Sequence, residues 1–151
     1  GVFGSGGDFL PGASGLLAPF AAEQPVAMAI TPDGTRLYVL ATGTEGPKLA
    51  VIATGNTRSA HSTVGVVPLP VACPTAVAVR GSELLVADAC GSQVLSFALG
   101  GDGLPTAHAP LALPLPGGCA PAQLALLGTG ATALPVATCD GASFVAIHGG
   151  D

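Results

Sequence analysis

The chain has no tryptophan, one tyrosine and one methionine, and only 9% of its 151 residues are charged. Lysine and arginine together number four against nine acidic residues, for a formal net charge of −5. Nucleic acids are gripped by clustered basic side chains that neutralise phosphates, so this balance excludes a nucleic-acid groove. There is no uninterrupted run of about 18 apolar residues, which excludes a membrane-spanning helix. The opening Gly1-Val2-Phe3-Gly4 has no methionine and no charged leader ahead of an apolar core, so no signal peptide is read; a mature or trimmed product has this look. Catalytic signatures are scarce too. There is no Cys-x-x-Cys pair and no Gly-x-Ser-x-Gly nucleophile elbow, and Gly4-Ser5-Gly6-Gly7 and Gly128-Thr129-Gly130 lack the lysine of a phosphate loop and read as hairpin turns.

What is abundant is apolar surface and chain punctuation. Hydrophobic residues make up 49% of the sequence, enough to argue against disorder, while 23 glycines and 14 prolines argue against a helical protein. Internal repetition organises them. Pro25-Val-Ala-Met-Ala-Ile, Pro74-Thr-Ala-Val-Ala-Val and Pro121-Ala-Gln-Leu-Ala-Leu share one phase, at spacings of 49 and 47 residues, and each reads as a strand. A turn follows each, then a second strand (Leu37–Leu40, Leu84–Ala87, Leu134–Ala137) and a third (Lys48–Ile52, Gln93–Phe97, Ser143–Ile147). A proline-rich fourth segment closes two units, at Val64–Val67 and Leu111–Leu113. Asp33-Gly34 between the first two strands of one unit is a hairpin signal.

Four strands in a unit of about 40–50 residues is the pattern of a β-propeller blade. Pro74 to Leu99, with Leu85-Val86-Ala87-Asp88 ahead of Val94-Leu95-Ser96-Phe97, resembles the NHL repeat. Pro25 to Ile52, with Ile30-Thr31-Pro32-Asp33-Gly34-Thr35-Arg36-Leu37-Tyr38-Val39, is similar to the YVTN-type propeller repeat. The third unit departs most, with Pro135 in its second strand and no Asp-Gly turn. The expected fold is all-β, about three four-stranded antiparallel blades plus partial blades, in an incomplete propeller. Residues 1–22 are expected to form the outer strands of a preceding blade, 23–70 and 71–116 whole blades, and 117–151 a blade lacking its outer strand.

The resemblance also orders the cysteines. In blade geometry the first strand starts on the face where the second ends. Cys73 and Cys90 then lie on one face, and Cys119 and Cys139 share that phase in the next unit. The resemblance therefore implies disulfides Cys73–Cys90 and Cys119–Cys139, with reduced core thiols as the alternative. Paired disulfides imply an extracytoplasmic site: secreted, periplasmic or at the cell surface.

Asp88 is the most suggestive charge, at the end of a second strand beside Cys90, and Asp140 holds the matching place after Cys139. Either is a candidate for a top-face polar site or a cation ligand. The plainer reading, a repeat aspartate making a local turn bond, carries more weight. Asp33 reads as a turn residue. Asp8, Asp102 and Asp151 share one loop phase, but a single aspartate per loop does not supply the six or so oxygens calcium takes. His61 and His108 are read as loop residues between third and fourth strands at the rim, and with His148 they form no expected metal site.

No catalytic residue, cofactor or metal is assigned from the sequence. The function expected is a non-catalytic, extracytoplasmic scaffold or protein-interaction module, completed into a propeller by another chain or by missing blades. The alternative is a segment of a lactonase-like hydrolase or of a cofactor-dependent propeller oxidoreductase. Carbohydrate binding is less supported, because sugar platforms use aromatic side chains and this chain has few.

Overall fold

Alternating apolar residues between glycine- and proline-bearing turns give extended chain, and the strands fall where that alternation runs. The computed structural model of the chain describes residues 24–54, 61–116, 119–139 and 144–147. Within them, three antiparallel sheets follow one another along the sequence. The first holds β1 (Gln24–Ile30), β2 (Arg36–Thr42), β3 (Lys48–Thr54) and β4 (His61–Pro68) in sequence order. The second holds β5 (Pro74–Arg80), β6 (Glu83–Asp88), β7 (Gln93–Ala98) and β8 (Leu111–Pro114) in the same order. The third holds β9 (Pro121–Leu127), β10 (Leu134–Cys139) and β11 (Phe144–Ala146), with no fourth strand among the described residues. The architecture is all-β and that of incomplete propeller blades.

The register repeats from sheet to sheet. Each first strand carries an irregularity just after its opening proline: between Pro25 and Ala27, between Pro74 and Ala76, and where Pro121 meets Cys139. Beyond it, Ala27 and Ala29 in β1, Ala76 and Ala78 in β5, and Gln123 and Ala125 in β9 occupy equivalent places. These residues, with their cross-strand partners, define what we call the forward face of each sheet, the face turned toward the next sheet in sequence. The alternate residues define the backward face.

Stacking of these faces makes the core. Tyr38, Leu40, Leu49 and Val51 of the first sheet's forward face meet Val77, Val79, Leu84, Val86, Leu95 and Phe97 of the second sheet's backward face. Ala76, Leu85, Ala87 and Val94 of the second sheet's forward face meet Ala137, with Leu124 and Leu126 packed against them. A third cluster, Val39, Ala41, Ala50 and Ile52, lies on the backward face of the first sheet. The second sheet is thus buried on both sides, which is why β6 reads as the unbroken apolar run Leu84-Leu85-Val86-Ala87. Burying each of Leu84 and Leu85, both wholly inaccessible, contributes roughly 1.5–3 kcal/mol.

Polar ties reinforce the stacking. Tyr38 donates its hydroxyl to the Gly103 carbonyl at 2.7 Å, and Arg36 Nε donates to the Asp102 carbonyl at 3.0 Å. The Gly100–Pro105 loop of the second sheet is thereby anchored to β2 of the first. Gly103 has a φ of +87°, which favours glycine, and a Cβ there would lie 2.5 Å from Arg36 Nε and displace that side chain. Between the second and third sheets, Arg80 Nη1 donates to the Ala133 carbonyl and Thr75 Oγ1 to the Pro121 carbonyl.

Two local expectations need correction. His61 is not a loop residue but opens β4, pairing with Thr54, because the ladder between β3 and β4 extends three residues beyond Val64. The Gly128-Thr129-Gly130 connection is not a tight hairpin turn either, since a single 3₁₀ turn over Gly130–Thr132 follows it before β10 begins. Pro135 sits inside β10 opposite Leu126, an unusual place for a residue without an N–H. Its carbonyl accepts from Ile147 N, but it cannot return the bond, and β11 ends one residue earlier at Ala146. Residues 1–22, Asp8, Asp140, His148 and Asp151 lie outside the described residues.

Candidate functional site

The sequence points first to the face where second strands end. Cys73 precedes β5 and Cys90 follows β6, and the two are joined with their Cα atoms 5.3 Å apart. Cys119 and Cys139 are joined likewise at 4.9 Å, so none of the four thiols is free. Asp88 lies against the first disulfide and is 3% exposed. Its Oδ1 accepts from Cys73 N at 3.1 Å and its Oδ2 from Gln93 Nε2 at 3.0 Å. Both carboxylate oxygens therefore face inward, onto the strand start and the neighbouring turn. A buried carboxylate with a bond to each oxygen closes a turn; it has little left to offer a ligand. Ser92, in the same turn at φ +52°, donates its hydroxyl to the Cys119 carbonyl, which ties this turn to the start of the third blade. The position of Asp140 beside the second disulfide is outside the described residues, so the two aspartates are not seen together.

The opposite face carries the hairpin turns. Asp33 Oδ1 accepts from Thr31 Oγ1, Thr35 N and Thr35 Oγ1 at 2.7–3.0 Å. The Thr31 hydroxyl, followed by the Thr35 donors, holds the Asp33 carboxyl down at about 2. A shallow depression of about 210 Å³ opens beside it, bordered by Arg36, Tyr38, Ser82 and the glycines of the 100–103 loop. Arg36 is turned to the Asp102 carbonyl, and burial raises the pKa of the Tyr38 hydroxyl, which stays protonated at neutral pH. Glu83 sits farther along. Burial pushes its carboxyl up, but hydrogen bonds from Arg80 and Ser96 and the Arg80 charge outweigh this, and its pKa is lowered.

A third place was missed in the sequence. A cleft of about 450 Å³ runs along the first strands, lined by Ala27, Met28, Thr75, Val77, Gln123 and Thr138 among others. The first strands of successive sheets lie side by side here, β1 by β5 and β5 by β9. Its polar lining is spare and engaged: Thr75 Oγ1 bonds Pro121, and Thr138 Oγ1 accepts from Gln123 N. Among the described residues, no titratable side chain borders it. On the rim, His108 borders a proline-lined groove of about 510 Å³ between the first two sheets. Among the described residues, no group of three or more His, Cys, Asp or Glu side chains converges as metal ligands would.

The chain matches no protein-family model and no curated protein sequence. Solved structures do resemble it. One is a protein of Bacteroides fragilis NCTC 9343 that carries the provisional name 6-phosphogluconolactonase. It superposes with a TM-score of 0.54 at 17% identity, over 76% of this chain and 34% of the other. A second, from Bacteroides uniformis ATCC 8492 and with the same provisional name, superposes with a TM-score of 0.51 at 16% identity, over 82% of this chain and 55% of the other. Both are propeller-type folds. The likeness is one of fold, of the β-propeller class. This chain spans about a third of the length of one and about half of the other.

Proposed function

We propose that this chain is a blade-bearing, non-catalytic interaction module of an extracytoplasmic β-propeller. The observation that carries this reading is the commitment of Asp88. The one carboxylate buried at the strand-end face among the described residues closes its own turn with both oxygens. The other charges of the described blades are similarly spent: Arg36 on Asp102, Arg80 on Glu83 and Ala133, Lys48 on Glu45. Two disulfides of short span suit an oxidising compartment, where such staples persist.

A lactonase-like segment is the second reading, favoured by the names of the two similar structures. A phosphorylated sugar lactone would call for cations near its phosphate, and the described inner cleft is bordered by none. One experiment separates the readings. The purified chain is assayed for hydrolysis of 6-phosphogluconolactone and simple lactones, alongside Asp88→Asn. The interaction-module reading expects rates at the uncatalysed background for both proteins, with Asp88→Asn only about 1–2 kcal/mol less stable from a weakened turn. Turnover above background that Asp88→Asn abolishes would establish the enzyme reading instead.

A further inference from the structure

The two disulfides hold the same place in successive sheets but not the same environment. Cys90 is exposed, and it is flanked by Ala89 and Gly91, which carry little or no side chain to screen its sulfur. Cys119, by contrast, is 5% exposed. Thiol–disulfide exchange needs a thiolate to reach one sulfur of the bridge, so access separates the two. The accessible bridge also guards a junction. Cys90, Gly91 and Ser92 form a tip beyond the end of β6, and Cys90 fastens that tip to Cys73, just ahead of β5. Ser92 holds a φ of +52°, a left-handed conformation that is costly for a residue with a Cβ. In that conformation its hydroxyl reaches the Cys119 carbonyl, and its own carbonyl accepts from Leu115 N at 3.0 Å. The end of β6, the segment after β8 and the start of the third sheet therefore meet at Ser92.

We infer that Cys73–Cys90 is an exchangeable latch: an external dithiol reduces it ahead of Cys119–Cys139, and its opening frees the Cys90–Ser92 tip and loosens the junction of the second and third sheets. A thiolate of the dithiol attacks the exposed Cys90 sulfur, the bond to Cys73 breaks, and Cys73 leaves as a thiolate. The second thiol of the reagent then displaces Cys90 and closes a disulfide within the reagent. Two electrons pass to the bridge, the dithiol's two protons end on Cys73 and Cys90, and the reagent is oxidised. The base of the turn stays bonded. Asp88 keeps Cys73 N and Gln93 Nε2, and Ala89 N keeps the Cys73 carbonyl at 3.0 Å. Opening is thus confined to the tip. Once Cys90 is free, Ser92 relaxes out of its left-handed conformation and gives up its bonds to Cys119 and Leu115. Leu115 packs against the apolar cluster between the second and third sheets, so the loss reaches that interface. Every residue of the latch lies in these two sheets or the segments joining them, and the latch asks nothing of any blade beyond.

The test treats the full 151-residue chain with dithiothreitol, quenches samples at intervals with N-ethylmaleimide and maps the labelled peptides. Cys73 and Cys90 are expected to be labelled roughly tenfold faster or more than Cys119 and Cys139. Amide exchange is then followed on chain in which only the first bridge is open. The Leu115 amide is expected to exchange about tenfold faster or more than in the oxidised chain. The Leu99 amide, bonded to the Ser82 carbonyl at the other end of β6, is expected to keep its protection. The double variant Cys73→Ser, Cys90→Ser should show the same pattern without any reductant. Equal labelling rates, or Cys119 and Cys139 labelled first, overturn the exchangeable bridge. Ordered labelling with Leu115 unchanged, or with Leu99 released as well, overturns the latch and leaves a plain staple.

Discussion

Strands β1, β5 and β9 are written almost alike, Pro25-Val-Ala-Met-Ala-Ile, Pro74-Thr-Ala-Val-Ala-Val and Pro121-Ala-Gln-Leu-Ala-Leu, yet they live differently. Ala76, Val77, Ala78 and Val79 of β5 are all buried, while β1 and β9 each leave every second side chain in solvent. The difference is the neighbour: β5 has a sheet on each side, and β1 and β9 have one among the described residues. In a stacked-blade protein the burial of a side chain is a property of the next repeat, so equivalent residues carry unequal energies.

That contrast can be broken most sharply at the forward faces. Leu85→Ala removes a wholly buried side chain between the second and third sheets and should cost about 2–5 kcal/mol. Leu127→Ala, at an exposed position of the third sheet's forward face, should cost about 0.5 kcal/mol or less. Urea midpoints of the two variants check this. Equal losses would mean that this face is covered within the chain itself.

The disulfides sharpen the comparison from another side, because the second and third units are stapled and the described part of the first is not. The bridges span 17 and 20 residues, and each should contribute about 3 kcal/mol by restricting the unfolded chain. The paired substitution of Cys119 and Cys139 by serine should release the third sheet before the others. The loss should be visible as faster amide exchange in β9 and β10 than in β2 and β3. Uniform loosening would mean that the three sheets unfold as one unit.

The smallest effect lies in the first hairpin turn. Asp33 titrates near 2 in the folded chain against an ordinary 3.8. The unfolded state therefore binds the proton first as pH falls. The carboxylate's contribution is fully present above about pH 4 and disappears as pH drops through 2. Asp33→Ala should flatten that acid limb slightly, through a small loss of stability at neutral pH that vanishes below about pH 2, small because the turn is exposed. The Arg80–Glu83 turn of the second sheet serves as a control: it has no such aspartate, and its Glu83 carboxyl, also lowered, is unaffected by the change. Carboxyl resonances followed by NMR from pH 5 to pH 1.5 read both groups directly.

Much of this was legible in the residues. The repeating Pro-x-x-x-Ala phase marks the first strands because proline tolerates a strand start and alternation fixes which side chains share a face. The blade resemblance brings each cysteine pair to one sheet end, where the bridges are found. What the residues alone left open follows from contacts between units. Nothing in the local sequence separates a loop His61 from one that opens β4, because the extra pairing depends on the ladder offered by Thr54. The anchoring of Gly103 by Tyr38 joins positions 65 residues apart, and the cleft along the first strands is made by four strands from three repeats. The role of Asp88 also depends on tertiary contacts, since an aspartate at a strand end suits a ligand as well as a turn, and its two partners decide for the turn. Periodicity acts over a few residues, so sequence determined the strands, their faces and their order. Side-chain burial, the inter-sheet hydrogen bonds and the exposed faces of β1 and β9 depend on which sheet stands beside which, and only the stacked structure decides that.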